Sequence, residues 1–160
     1  MICPTPEDFA AVLPPMRGLL GLDLGTKTIG VALSDRLLNS ATALETIARR
    51  KFTTDADHLA LLVARHEVGG LILGLPRNMD GSEGPRAQAT RGFALNLARR
   101  SDFADLPIAF WDERLSTVAA ERALLEADTT RKRRAEVIDA VAAGYILQGA
   151  LDRLRHLRNA

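Results

Sequence analysis

The sequence contains a single cysteine, Cys3, among its 160 residues. One cysteine cannot form a disulfide within the chain, and it has no partner cysteine for a zinc site, which argues against a disulfide-stabilised extracellular domain. No apolar run approaches the roughly 20 residues that a membrane-spanning helix needs. The first residues also lack the basic start and apolar centre of a signal peptide. We therefore expect a protein of the reducing cytoplasm with no membrane partner.

Aromatic residues and net charge are also scarce. Phenylalanine, tyrosine and tryptophan make up 4% of the sequence, too few for an extended platform on which nucleic-acid bases could stack. The formal net charge is +1, so bulk charge gives no reason to propose a nucleic-acid partner. Any such partner must be recognised by local clusters of charge. The 47% hydrophobic and 26% charged content is that of an ordinary globular protein.

The order of the predicted elements indicates an α/β fold. Residues 1–17 hold four of the seven prolines and are predicted to be an irregular extension with one short helical turn near 8–13. Apolar or alternating runs predict five strands, near 19–24, 28–34, 41–47, 70–75 and 107–111. Helical periodicity predicts helices near 54–67, 85–98, 116–126 and 134–154. This βββαβαβα-type order predicts a mixed five-stranded sheet flanked by helices, in one domain of residues 18–154 with a tail at 155–160.

Three acidic residues interrupt apolar segments. Asp23 lies within a strand, Glu113 follows the strand that ends near residue 111, and Asp139 shares a helix face with Ala142 and Ile146. Burying an ionised carboxylate without compensation costs several kcal/mol, so each acid needs a cation, hydrogen bonds or an exposed position. If the three converge, their oxygens suit Mg²⁺ or Mn²⁺. A pair of such ions about 3.5–4 Å apart could then activate water for phosphodiester hydrolysis once substrate is bound.

Each of these acids also has an ordinary structural interpretation. A single strand-end carboxylate such as Asp23 is commonly a solvated residue or a cap. Asp139 alone would suit an ion pair with a basic residue that precedes it. The metal interpretation therefore depends on taking Asp23, Glu113 and Asp139 together.

Several basic and polar residues are candidates for binding nucleic acid. Lys27, in the turn after Asp23, could contact a phosphate or could be a solvated turn lysine. Arg114 could grip a backbone phosphate through two hydrogen bonds, or it could pair with Asp112. Asn78 lies in a loop that could shape the substrate cleft.

The same loop contains Asp80 and Ser82, whose side chains could instead cap the helix that follows. The densest basic run is predicted to be a connector before the last helix, and it could bind a nucleic-acid backbone without reading its sequence. A solvated surface is the alternative for this run. The basic run consists of Arg131, Lys132, Arg133 and Arg134. Residues 49–51 form a smaller basic cluster, for which nucleic-acid binding is less strongly indicated.

Four motifs resemble the YqgF/RuvX family, small relatives of Holliday-junction resolvases. They are residues 21–32 (GLDLGTKTIGVA), 74–82 (GLPRNMDGS), 112–117 (DERLST), and 138–143 (IDAVAA) with 146–148 (ILQ). All four occur in the family's order between residues 18 and 151. The resemblance implies a ribonuclease-H-like fold and a divalent-metal-dependent nuclease. Its acidic positions fall on Asp23, Glu113 and Asp139.

The resemblance also implies a biological role. Processing of the 5′ end of pre-16S rRNA in ribosome biogenesis is the expected function, with pre-ribosomal particles as partners. The alternatives are resolution of Holliday junctions in branched DNA and a non-catalytic RNA-binding role in ribosome assembly. A monomer and a homodimer are both compatible with the sequence. Residues 23–27 (DLGTK) also resemble the phosphate loop of actin-like ATPases, but those proteins close two lobes around ATP and 160 residues supply one.

Overall fold

In the computed structural model, five strands form one sheet in the order β3-β2-β1-β4-β5. The structure describes residues 1–115 and 131–159, and the side chains of residues 1–115 and 138–159. The strands are β1 (Leu19–Leu24), β2 (Thr28–Ser34), β3 (Ala41–Ala48), β4 (Gly70–Leu75) and β5 (Ile108–Asp112). The helices are α1 (Pro6–Val12), α2 (Phe52–Arg65), α3 (Pro85–Ala98) and α4 (Arg131–Arg158), with 3₁₀ turns at Ser101–Phe103 and Glu113–Leu115.

The sheet is mixed, as the sequence predicts. The β1–β2 and β2–β3 pairs are antiparallel, and the β1–β4 and β4–β5 pairs are parallel. A turn of three residues, 25–27, is enough for the antiparallel hairpin, whereas the parallel pairs need the longer crossovers that contain α2 and α3. Every residue of β1 and of β4 is buried, as expected for central strands covered on both faces.

Helices cover both faces of the sheet. On one face, Leu59 of α2 and Leu97 of α3 are fully buried against Leu71 and Leu73 of β4. On the other face, α4 packs across β1, β2 and β3, and its Leu147 is fully buried. The five-stranded α/β architecture predicted from the sequence is therefore confirmed.

The close packing of α4 depends on two glycines in the sheet. An ideal Cβ built at Gly21 of β1 would lie 2.7 Å from the Cβ of Leu147, and one at Gly30 of β2 would lie 1.9 Å from the carbonyl oxygen of Asp139. No local sequence pattern marks these strand glycines as contacts of a helix. On the helix side, Ala143 is fully buried at the contact. Any side chain at Gly30 would displace the α4 backbone.

The N-terminal segment differs from its prediction. It contains α1, whose N-cap Thr5 accepts a hydrogen bond from the amide of Asp8 at 3.1 Å. Before this helix, the amide of Cys3 donates to the carbonyl of Ile108 in β5 at 2.8 Å, so the segment pairs with the edge of the sheet. Phe9 of α1 is buried. Helix α1 falls where the sequence predicts a short helical turn near 8–13, and it begins two residues earlier because Thr5 and a proline at the first helical position form a good helix start.

The last helix is longer than predicted. It begins at Arg131 instead of residue 134 and ends at Arg158 instead of residue 154. The basic run 131–134 is therefore helical backbone and not a connector, and most of the predicted tail is helical. The helix predicted near 116–126 lies outside the described residues. Among the residues that are described, no helix is long and apolar enough to span a bilayer.

We expect Gly30→Ala to destabilise the protein by at least about 2 kcal/mol, because the added methyl group overlaps the α4 backbone. The free energy of unfolding, from urea titration, measures the effect. Gly92→Ala in α3 is the matched control, because a Cβ there meets no atom within 4 Å. That variant should gain up to about 1 kcal/mol from helix propensity. Wild-type stability of Gly30→Ala would contradict the packing described above.

Candidate functional site

Asp23 lies on the face of the sheet that α4 covers. Its side chain is 9% exposed, and its residue pairs directly with Gly30 across the β1–β2 ladder. Residues opposite each other in an antiparallel pair project from the same face, as do residues two apart in a strand. Both Gly30 and Gly21 face α4, so Asp23 does too. Asp23 of β1 thus lies beneath α4, with β2 on one side and β4 on the other.

Asp139 approaches this position from the β2 side. Its backbone carbonyl lies over Gly30, and its Oδ2 accepts a hydrogen bond from the hydroxyl of Thr28, the first residue of β2. The helix face that carries it packs inward, since Ala142 and Ile146 are buried. Gly30 is the residue opposite Asp23. Asp139 is therefore one strand away from Asp23, on the same face.

Glu113 approaches from the β4 side. It begins the 3₁₀ turn after β5, and an ideal Cβ at Gly74 would lie 2.7 Å from its Oε1. The same Cβ would lie 2.4 Å from Cδ1 of Ile146, so Gly74 also faces α4. The parallel register pairs Leu22 with Leu73, which places Gly74 beside Asp23. A glycine thus flanks Asp23 on each neighbouring strand, with the backbone of Asp139 over Gly30 and the carboxylate of Glu113 over Gly74.

The donor set fits a hard, hydrated cation. All three side chains offer carboxylate oxygens, which Mg²⁺ and Mn²⁺ prefer, and Mg²⁺ commonly binds through a few carboxylates and several waters. A carboxylate has about four acceptor positions, so the hydrogen bond from Thr28 leaves Asp139 able to bind an ion. In the described part of the chain, no three acidic, histidine or cysteine side chains lie close enough together to hold a metal ion as they stand. The three acids would have to close on a cation when it binds.

Arg114 and Asp112 form an ion pair at the end of β5. Nη2 of Arg114 lies 2.7 Å from Oδ2 of Asp112, and Nε lies 3.1 Å from Oδ1. Hydrogen bonding to this guanidinium lowers the pKa of Asp112 below its ordinary value. Of the two interpretations of Arg114, the structure shows the ion pair. Arg114 also contacts the carbonyl of Met79 at 3.4 Å, so it holds the end of β5 against the 77–84 loop.

Asn78 helps to close that loop. Its Nδ2 donates to the hydroxyl of Ser82 at 3.0 Å, and Oδ1 of Asp80 accepts from the Ser82 amide at 2.9 Å. The Ser82 hydroxyl also donates to Asp80, which lowers the pKa of the Asp80 carboxyl. The prediction that Asp80 or Ser82 caps α3 was wrong, since the N-cap is Gly84 without a side-chain cap. These side chains bond to each other and rigidify the loop.

The remaining predicted residues divide into two groups. Lys27 is exposed at the tip of the β1–β2 turn, next to the Asp23 end of β1. The side chains of the basic run 131–134 lie outside the described residues, although its backbone forms the first turn of α4. The run is therefore on the same helix as Asp139.

Two arginines that the sequence analysis did not assign to the site contact its turn. Nη2 of Arg86 donates to the carbonyl of Leu24 at 2.5 Å, and Nη1 of Arg49 donates to the carbonyl of Gly25 at 2.6 Å. Arg49 belongs to the small basic cluster noted in the sequence. No sequence pattern predicted the contact of Arg86 with Leu24, because the two residues are 62 positions apart and the contact follows no local periodicity.

Comparison with known proteins gives close relatives. The family RuvX, described as Holliday junction resolvase, matches residues 17–153. A protein of Jannaschia sp. (strain CCS1) is 79% identical over 158 residues, which is 99% of each chain. A protein of Roseobacter denitrificans is 70% identical and covers 99% of this chain and 96% of the relative. Both relatives carry the name "Putative pre-16S rRNA nuclease".

Solved structures share the fold. Thermus thermophilus RuvC in complex with a Holliday junction substrate aligns with a TM-score of 0.53 and 13% identity, over 86% of this chain and 95% of that one. At 13% identity the structural similarity is evidence of a shared fold only, and it confirms the ribonuclease-H-like architecture. The family match spans most of the sequence, and the relatives are similar over nearly their whole length. The chain therefore belongs to the RuvX family of Holliday junction resolvases.

Proposed function

We propose that this protein is a divalent-metal-dependent nuclease in which Asp23, Glu113 and Asp139 hold the metal. The observation that carries the proposal is the arrangement around Asp23. Gly30 and Gly74 flank this buried acid on its two neighbouring strands; the α4 backbone at Asp139 lies over Gly30, and the Glu113 carboxylate lies over Gly74. The two glycines thus let α4 and Glu113 come close to Asp23 in a buried layer, and a shared cation would offset the cost of gathering the three acids there.

The bound metal, Mg²⁺ or Mn²⁺ and two ions when substrate is present, would activate water and stabilise charge at the scissile phosphate. The chain's own groups set the conditions for this chemistry. Burial of Asp23 beneath α4 keeps bulk water away, which strengthens its attraction to a cation. The Thr28 hydroxyl fixes one oxygen of Asp139 and so orients the carboxylate.

The nucleic-acid interface that we propose surrounds these acids. Lys27 contacts a phosphate from the turn after Asp23. The basic run Arg131, Lys132, Arg133 and Arg134 contacts the backbone from the start of α4, about 8–12 Å along the helix from Asp139. Arg114 and Asn78 contribute by fixing the 77–84 loop beside the site, because their side chains are engaged within the protein.

We propose the 5′ end of pre-16S rRNA as the substrate, in the cytoplasm and within pre-ribosomal particles. The names of the two close relatives support this choice. Resolution of Holliday junctions is the second candidate, and the family's description and the shared fold with RuvC support it. The protein acts as a monomer or a homodimer.

We expect Asp23→Asn to reduce cleavage on the order of a thousandfold, because loss of one carboxylate removes several kcal/mol of metal-mediated stabilisation. The wild-type protein and the variant are incubated with a precursor 16S rRNA 5′ fragment and with a four-way DNA junction. Each reaction contains Mg²⁺, Mn²⁺ or EDTA. The substrate that is cut faster distinguishes the two biological candidates.

Asp105→Asn is the control for this experiment, because Asp105 is an exposed acid outside the site. It should cleave at the wild-type rate. Undiminished, metal-dependent cleavage by Asp23→Asn would rule out the proposed mechanism. Binding of the RNA without cleavage of either substrate would favour the non-catalytic assembly role.

A second prediction concerns Thr28. Thr28→Val removes the hydroxyl that donates to Asp139 while keeping the shape of the side chain. We expect the Mg²⁺ concentration for half-maximal cleavage to rise about tenfold, because hydrogen bonds orient metal-binding carboxylates. Thr28→Ser should restore the wild-type value, since it keeps the hydroxyl. An unchanged Mg²⁺ requirement in Thr28→Val would show that this hydrogen bond has no part in metal binding.

A further inference from the structure

Five basic residues surround the turn that follows Asp23, and we call them the cationic rim. Lys27 lies in the turn, residues 49–51 follow β3, and Arg86 lies in the first turn of α3. The rim consists of Lys27, Arg49, Arg50, Lys51 and Arg86. Segments distant in sequence thus place positive charge at the end of β1, next to the candidate metal site.

Hydrogen bonds fix the rim to the site. Arg86 and Arg49 donate to the consecutive carbonyls of Leu24 and Gly25, at 2.5 Å and 2.6 Å. The backbone amide of Arg49 also donates to the carbonyl of Lys27 at 2.9 Å. Leu24 is the residue after Asp23, so the two guanidinium groups lie directly beyond the acid.

The charge of the rim is not neutralised by neighbouring acids. Carbonyl acceptors are uncharged, and none of the five side chains forms an ion pair with an acid in the described part of the chain. The arginines around the 77–84 loop differ. Arg91 lies 2.6 Å from Glu83, and Arg114 lies 2.7 Å from Asp112. The rim is therefore a cluster of cations with no ion-pair partner among the described acids.

Two helices begin at the rim and add to its potential. Lys51 is the N-cap of α2 and Gly84 is the N-cap of α3, and neither makes a side-chain cap. The first amides of a helix carry partial positive charge. Asp55 of α2, which is 2% exposed, accepts from the Arg50 amide at 3.1 Å and offsets part of the charge at the start of α2. Glu83, just before the N-cap of α3, is held by Arg91 at 2.6 Å.

The rim offers hydrogen-bond donors but no exposed ring for a base. Each guanidinium has five N–H groups, and a single carbonyl occupies few of them. The nearby Phe93 is buried, packs edge to face with Phe52 at 5.4 Å, and lies beneath Arg49 at 5.6 Å. The rim therefore suits phosphate groups and not stacked bases.

We infer that the cationic rim binds the phosphate backbone of the nucleic-acid strand next to the scissile bond, independently of base sequence. The inference rests on the proposed function and extends it, because it assigns Arg49, Arg50, Lys51 and Arg86 to the substrate interface. A row of uncompensated cations beside the metal-binding acids attracts a polyanion and releases its counterions.

The test measures RNA binding in the Asp23→Asn background, where cleavage does not interfere. The probe is a fluorescein-labelled precursor 16S rRNA 5′ fragment, and fluorescence anisotropy gives Kd between about 50 and 200 mM KCl. The rim variant is Arg50→Gln/Lys51→Gln, since both side chains are exposed. We expect Kd to rise about tenfold. The slope of log K against log salt should fall by about 0.7–0.9 for each phosphate that the variant no longer neutralises.

The control variant is Arg65→Gln/Arg99→Gln. Both residues are exposed, and they lie at the opposite ends of α2 and α3, about 20 Å from the rim. The control variant removes the same amount of charge and should keep the Kd and salt slope of the parent. Melting temperatures of both variants are compared with that of the parent, to verify that they are folded.

The other outcomes overturn either the inference about the rim or the proposed function. Equal weakening by the rim and control variants would overturn the inference while leaving the proposed function intact. So would a loss of affinity that disappears with a scrambled RNA of equal length, because the rim would then read bases. Failure of the parent protein to bind either the RNA or a four-way DNA junction would overturn the proposed function itself.

Discussion

Helix α4 reaches the sheet because Gly21 and Gly30 have no side chains, and the candidate site depends on that contact. A methyl group at Gly30 would occupy the position of the Asp139 backbone, so the acid could not lie beside β2. Gly74 leaves room in the same way for Glu113. The glycines beside Asp23 therefore do more than permit tight packing. They let the α4 backbone and the Glu113 side chain come close to Asp23 in a buried layer.

Charge is distributed unevenly around the candidate metal site. On the β5 side, the arginines of the 77–84 region are held by Glu83 and Asp112, and they stabilise the loop. At the end of β1, Arg49 and Arg86 bond to the neutral carbonyls of Gly25 and Leu24, and neither forms an ion pair with an acid in the described part of the chain. The acids therefore have ion-paired arginines on the β5 side and, at the end of β1, arginines without an acidic partner among the described residues. This asymmetry gives a polyanionic substrate a direction of approach, although the net charge of the whole protein is +1.

Much of the fold follows from the sequence, because apolar runs and their spacing reflect burial directly. The prediction of the acidic site has the same basis, since burying a carboxylate such as Asp23 within an apolar strand is costly without a compensating partner. Metal binding by the three acids stays a prediction. The start of helix α1 was placed two residues late, because the prolines around Pro6 obscured a good N-terminal start. Contacts between distant segments left no local pattern. The donation from Arg86 to Leu24, and the approach of α4 to Gly30, depend on the tertiary fold alone.

The most direct test of the site is a crystal structure of the protein grown with Mn²⁺, with anomalous diffraction used to locate the ion. We expect one strong anomalous peak on the α4 face of the sheet, coordinated by Asp23 and by oxygens of Glu113 and Asp139. The Thr28 hydroxyl should still contact Asp139. A peak elsewhere on the protein, or none near Asp23 at saturating Mn²⁺, would contradict the assignment of these three carboxylates as the metal-binding residues.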